Sequence, residues 1–325
     1  MLTKTADAVF EGGGVKGIAL AGAVCYAESI GYRWQNVAGT SAGAILGALL
    51  AAGYKGTEIR KILSDCDYTA FCDPTLLKRV PLVGPALSLT VDMGLYKGDT
   101  ILEWLTDLLA AKGVHTFNDL RIPGEVDPRY RYKLQVIASD LSLGRMLVLP
   151  SDMKIYGDDP DQLSVARAVR MSLSIPFFYE PVEEAYATGM SYIVDGGILS
   201  NFPVWLFDTP EGQPPKWPTF GFRLVEPGEG RPHDITGPIT MLSALISTMM
   251  EAHDARHIDE AHWVRTIPIN TLGVRTTDFN ISKAQANALF TSGWEAARRF
   301  FQNWNFDLYK VRYRMSAATK QTRRA

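Results

Sequence analysis

The chain has 325 residues, 46% of them hydrophobic and 21% charged, which is ordinary globular composition and enough for one large α/β domain or two smaller ones. With 33 basic against 35 acidic residues it lacks the basic surplus that a dedicated nucleic-acid binder needs. Cys25, Cys66 and Cys72 form an odd set without framework spacing and read as free thiols of a reducing compartment. Residues 1–10 show no signal-peptide pattern, and the longest apolar runs, 42–52 and 238–250, are too short to span a bilayer. The expectation is a soluble cytoplasmic protein with peripheral membrane contact at most, and the basic end, Arg312 to Arg324, reads as a solvated tail.

In chain order, residues 6–11 read as a short buried strand that runs out on glycines, and 17–30 place small and apolar residues at helical spacing. Residues 36–39 are a second strand, and 42–52 are an Ala- and Leu-rich buried helix closed by Gly53. Strand, glycine turn and helix, twice over, is the pattern of an α/β layered domain. An amphipathic helix is predicted over 54–70. From Asp73 to Asp99 the periodicity is lost: Pro81, Gly84 and Pro85 break a segment that stays apolar through Leu82, Val83, Leu87 and Leu89. That predicts a loop or cap over an apolar surface; within 76–96 it is a candidate acyl-chain wall or lid, where Lys78 and Arg79 could meet a phosphate headgroup. Residues 100–112 read as a helix, 132–139 as a strand with 145–150 beside it, and 164–174 as a helix stopped by Pro176. Strands follow at 191–194, ending on Asp195, and at 219–224. A long helical stretch covers 238–262 and a strand 264–269; Ser282 caps a last helix with Leu289, Phe290, Ala297, Phe300 and Phe301 on its apolar side. No linker divides the chain, so a single domain over 1–325 is expected.

Three motifs carry chemistry. Gly39-Thr40-Ser41-Ala42-Gly43 stands between a strand and a helix, the context of a nucleophile elbow. There a serine sits on a strained turn, its neighbours must lack bulk, and the helix N-terminus faces the developing oxyanion. Gly12-Gly13-Gly14-Val15-Lys16-Gly17 also joins strand to helix, and its backbone amides can approach an anion: a nucleotide phosphate or an ester oxyanion. Its spacing fits neither nucleotide fingerprint. Lys16 reads either as added positive charge or as a solvent-facing residue of the first turn. Asp195-Gly196-Gly197 ends an apolar strand; alone it is a common turn, but beside Ser41 its carboxylate could take the hydroxyl proton and return it to the leaving alcohol.

In this order and with these flanks, the three motifs resemble those of the patatin-like phospholipases. The glycine-rich oxyanion motif of that family maps to Gly12–Gly17, its nucleophile elbow to Gly39–Gly43 and its Asp-Gly-Gly motif to Asp195–Gly197. The stretch Ser172–Pro181 before the aspartate, with Ile175, Pro176, Phe177 and Phe178, and Asn201-Phe202-Pro203 after it are similar too. The resemblance covers roughly residues 6–225. It implies a three-layer α/β/α fold with a central, mostly parallel sheet, and a Ser41–Asp195 dyad that works without histidine; because a dyad with a backbone oxyanion hole already supplies nucleophile, base and charge stabilisation, no metal or cofactor is expected. It further implies a lipid substrate whose carboxylic esters are cleaved as by a phospholipase A or lysophospholipase. No role follows for residues 226–325.

Competing readings remain open at this stage. A broader carboxylesterase, a nucleotide-binding module built on Gly12–Gly17, and a non-catalytic lipid-binding protein on the same fold are the alternatives. His253, His257 and His262 lie in a charged stretch; His253 and His257 are one helical turn apart and could face a metal, but the stretch lacks the Glu of a zinc-peptidase helix and reads as a solvated helix. The same histidines follow Asp195 in the order of a Ser-Asp-His triad, without a catalytic turn around them.

Overall fold

The computed structural model describes residues 3–73, 92–210, 213–227, 235–237, 241, 244, 248–249, 260–276 and 278–314. In chain order its elements begin with β1 (Lys4–Phe10), α1 (Gly17–Ser29), β2 (Tyr32–Thr40), α2 (Ala42–Ala51) and α3 (Gly56–Asp65). There follow β3 (Gly94–Tyr96), α4 (Asp99–Ala110), β4 (Leu134–Asp140), β5 (Arg145–Leu149) and α5 (Val165–Ser172). Strands β6 (Phe177–Tyr179), β7 (Val182–Tyr186), β8 (Gly189–Asp195) and β9 (Thr219–Val225) come next. The last are α6 (Glu260–Trp263), β10 (Thr266–Asn270), α7 (Lys283–Asn303) and α8 (Phe306–Tyr309).

β1 is buried on both faces from Ala6 onward, as a central strand of a parallel sheet must be. The main sheet runs β10-β9-β1-β2-β4-β8-β7, with β5 also paired to β4. β10, β9, β1, β2 and β4 are mutually parallel; β5, β8 and β7 join antiparallel. This is the expected α/β class, a mostly parallel sheet flanked by helices. Successive residues of a strand point to opposite faces. Ala8, Phe10, Val37, Val136 and Ala138 enter the large core formed with α1, α2, α5 and α7. Val9, Ala38 and Ile137, the residues between, pack against Leu206 and Phe207. α1 lies against α7 so closely that a Cβ on Gly293 would stand 1.8 Å from the Ala19 carbonyl oxygen, so the small residues are what allow the approach.

Some elements differ from expectation, and parts of two others lie outside the described residues. The helix predicted over 54–70 stops at Asp65, because Cys66 is extended and Asp67 accepts the Thr69 amide to start a separate 3-10 turn over Tyr68–Phe71. The edge strands β6 and β7 were not anticipated: β7 reads VEEAY, partly buried at alternate positions and carrying two adjacent carboxylates, Glu183 and Glu184. Of the predicted 238–262 helix, most lies outside the described residues, and α6 is its described end. Residues 76–91 of the candidate lid also lie outside them, with Lys78 and Arg79; the remainder carries β3, which pairs with β6. β9 and β10, beyond the motif-bearing region, complete one edge of the same sheet as β1.

Candidate active site

β2 delivers Ser41 from the middle of the sheet straight into α2. Ser41 has φ 52° and ψ −127°, a left-handed conformation that L-residues avoid and that persists only when the surroundings over-determine it. The flanking glycines are required by contact: a Cβ on Gly39 would stand 2.3 Å from the Gly43 backbone, and one on Gly43 2.4 Å from the Phe10 carbonyl oxygen. Thr40 Oγ1 donates to the Ser200 carbonyl at 3.1 Å, and the Ser41 amide donates to Ser172 Oγ at 2.8 Å. The serine thus sits at the mouth of α2, at the carboxyl end of a parallel strand where α/β folds place ligands.

β4 acts as a ruler that brings the aspartate to the serine. Thr40 pairs with Ile137 on one neighbour of β4, and Asp195 pairs with Ala138 on another. One residue step on β4 therefore separates the levels of the two groups. A Cβ on Gly196 would stand 2.3 Å from the Ile137 carbonyl oxygen, so the chain turns here only because residue 196 is glycine. Asp195 is fully buried, its Oδ1 accepts the Gly197 amide at 2.8 Å, and burial pushes its carboxyl up to about 6. The Gly197 amide and the Ser41 hydroxyl pull in the opposite direction, and no charged side chain contributes among the described residues. Oδ2 makes no hydrogen bond of ordinary distance and angle with a described residue, although the Ser41 hydroxyl faces the carboxyl; catalytic contacts of this kind tighten when substrate fills the site.

The glycine loop folds over the serine. A Cβ on Gly12 would stand 3.0 Å from Ser41 Cβ and 2.3 Å from Asn201 Oδ1, so only glycine lets the loop come this close. Gly14 has φ +56°, and a Cβ there would meet the Thr276 carbonyl oxygen at 2.1 Å. The Gly12 amide donates to Asn201, that of Val15 to Thr276 and that of Lys16 back to Gly13. The amides of Gly13 and Gly14 find no acceptor among the described residues. Glu11 fixes the loop from below, accepting the Leu224 amide with one oxygen and facing Arg223 Nε at 3.8 Å with the other. Lys16 is not solvent-facing: it is buried, and its Nζ donates to Glu226 Oε1 at 2.7 Å. Gly17 opens α1.

Residues 8–208 match the sequence model of the family described as patatin-like phospholipases. The chain belongs to the patatin-like phospholipase family. It is 42% identical over 305 residues to the uncharacterized protein YqhO of Bacillus subtilis (strain 168), covering 92% of this chain and 99% of that one. It is 25% identical over 202 residues to the uncharacterized protein R571 of Acanthamoeba polyphaga mimivirus, covering 61% of this chain and 59% of that one. Among solved structures, VipD from Legionella pneumophila superposes with a TM-score of 0.53 at 17% identity, over 92% of this chain and 67% of that one, a likeness of fold.

This patatin-like chain brings all three motifs of the sequence to one place and leaves His262, the described one of the three candidate histidines, elsewhere. His262 Nε2 lies 3.0 Å from Asp208 Oδ2, so it serves a different aspartate, and the Ser-Asp-His arrangement does not form with it. His253 and His257 lie outside the described residues. Asp208 also meets Arg265 Nη2 at 2.5 Å and Arg314 Nη2 at 2.6 Å. Burial raises its carboxyl, but His262 and the two guanidiniums overrule that and hold it well below the usual carboxylate range. Sequence reading gave no role to Ser172 or Asn201, although both fall in the stretches that resembled the family; their contacts to Ser41 and Gly12 span 131 and 189 residues. No described helix is long and apolar enough to cross a membrane.

Proposed function

We propose that this protein is a lipid acyl hydrolase of the phospholipase A or lysophospholipase type, acting through Ser41 as nucleophile and Asp195 as base. Ser41 Oγ attacks the ester carbonyl carbon while Asp195 Oδ2 takes its proton. The carbonyl oxygen, now an oxyanion, is held by amides of the Gly12–Gly17 loop, with those of Gly13 and Gly14 carrying the charge beside the N-terminus of α2. Collapse of the tetrahedral intermediate breaks the ester C–O bond, and Asp195 returns the proton to the leaving alcohol. Water then attacks the acyl-enzyme with Asp195 again as base, releasing the fatty acid and restoring Ser41. The lipid class of substrate comes from family membership, and access to it requires only peripheral contact with a lipid surface. In this reading residues 1–325 form one domain, since β9 and β10 extend the sheet that carries the site.

The observation that carries the proposal is the state of Asp195. A buried carboxyl raised to about 6, with no cation beside it and no hydrogen bond to Oδ2 among the described residues, is a base matched to neutral pH. The test is a hydrolysis panel of phospholipids, lysophospholipids and short-chain nitrophenyl esters, with Ser41→Ala and Asp195→Asn as controls. Turnover of the lipids with a loss on the order of a hundredfold or more in each variant supports the reading. Turnover of soluble esters alone moves it to a general carboxylesterase, and full activity in Ser41→Ala ends it.

A further inference from the structure

The turn that closes α5 grips the backbone on both sides of the candidate site. Ser172 is fully buried; its hydroxyl accepts the Ser41 amide at 2.8 Å and donates to the Ile137 carbonyl at 2.5 Å. Two residues on, the Ser174 carbonyl accepts the Asp195 amide at 2.9 Å. The turn is itself fixed by Arg170, whose buried guanidinium donates to Ser174 Oγ at 2.5 Å, to the Glu180 carbonyl at 3.0 Å and to the Lys97 carbonyl.

Serines within a helical turn commonly return their hydroxyl to a carbonyl of the preceding turn. Ser174 does so, donating to the Arg170 carbonyl at 2.9 Å. Ser172 does not; its hydroxyl leaves the helix and bridges two other parts of the fold. The amide it accepts belongs to a left-handed, non-glycine residue, and such a conformation survives only when neighbours hold it. Ile137, which takes the other end of the bridge, pairs with Thr40 and lies one step from the level of Asp195.

We propose that Ser172 is a positioning residue for Ser41: its hydroxyl ties the elbow amide to β4 and so sets the distance between Ser41 Oγ and the Asp195 carboxylate. This rests on the Ser41–Asp195 reading given above. Without the bridge the Ser41 peptide has no buried acceptor and turns toward relaxed geometry, which carries Oγ off its line to the base. Ser172 does not reach the substrate, so the loss falls on the rate of attack and not on binding.

The experiment is the rate of Ser41 labelling by a soluble fluorophosphonate, together with kcat and KM on a short-chain nitrophenyl ester, for the full chain. Ser172→Ala is expected to lower both the labelling rate and kcat on the order of ten- to a hundredfold, with KM within about twofold, since small misplacements of reacting groups cost rates of this size. Ser172→Thr keeps the hydroxyl and is expected to recover most of the loss. Should alanine abolish folding, Ser172→Cys, close in size and a weak hydrogen-bond partner, takes its place against the threonine variant. Wild-type labelling rate and kcat in folded Ser172→Ala overturn the proposal, as does a fall in kcat that merely tracks the folded fraction in a thermal melt. A wild-type protein labelled elsewhere than Ser41 overturns the dyad reading instead, so the two failures are distinct.

Discussion

Asp195 and Asp208 are both withdrawn from solvent, and their surroundings drive them apart. Among the described residues Asp195 is met only by an amide and a hydroxyl, so burial dominates and its carboxyl rises to about 6. Asp208 stands among His262, Arg265 and Arg314, with Arg129 Nη1 donating to its backbone carbonyl at 2.5 Å, and is held as a permanent anion. Burial alone does not decide what a carboxylate can do. Without a counter-charge it becomes a base that can take and return a proton; with two guanidiniums and a hydrogen-bonded imidazole against it, it becomes a structural tie between Arg265 at the head of β10, the Leu206–Asp208 stretch and the C-terminal side of the described chain.

The largest effect expected from breaking this contrast is at Asp208. Its replacement by alanine leaves Arg265, 2% exposed, without its counter-charge, which costs on the order of 3–5 kcal/mol in a urea melt at pH 7. The double variant Asp208→Leu with Arg265→Met should recover part of that, because the fully buried guanidinium leaves with its partner, while Arg314, nearer to solvent, still loses its anion. An unchanged melt in Asp208→Ala would mean that the cluster is solvated and the contrast false.

A smaller effect of opposite sign is expected at Asp195. Its folded-state pKa lies above the ordinary 3.8, so keeping it ionised costs stability above about pH 6 and nothing below about pH 4. Asp195→Asn should therefore stabilise the fold at pH 8 by roughly 3 kcal/mol at most, and the gain should vanish at pH 4. Asp208 behaves the other way: its contribution is fully present above 3.8 and is lost as acid approaches its lowered folded pKa. A wild-type melt followed from pH 8 downward should thus rise through pH 6 before it falls in stronger acid. The least effect is expected at Lys16, whose partner Glu226 is half exposed. Lys16→Met should cost about 1 kcal/mol or less, with the difference shrinking in high salt.

The parts of the site that were legible in the sequence are those whose constraint is local. Gly12, Gly14, Gly39, Gly43 and Gly196 are glycines because backbone or a neighbouring side chain stands where a Cβ would be, so the motif is a direct imprint of the geometry. The pairing of Ser41 with Asp195 is a matter of sheet register, which no local pattern states; the resemblance to a family supplied it. Ser172 was illegible for the same reason, since a serine in the last turn of a helix looks like any other until its partner on another strand is known. In the fold, strands buried on both faces were recognised from their apolar runs. β7 was not, because an edge strand carrying the adjacent carboxylates Glu183 and Glu184 buries little. The break after Asp65 had a signal in Asp67-Tyr68-Thr69, where aspartate caps a new turn, and the apolar periodicity around it concealed that signal.

Asp195 as the base for Ser41 is tested most directly by the pH dependence of kcat/KM for a soluble short-chain ester, measured on the wild type and on Asp195→Asn. The wild-type profile should rise with pH through an apparent pKa near 6 and then level, the free-enzyme titration of a buried base without a cation. In Asp195→Asn the rise should disappear, with activity lowered on the order of a hundredfold or more. A variant that keeps near-wild-type activity with the same rise, or a wild-type rise centred near pH 4, would contradict the assignment of Asp195 as the base for Ser41.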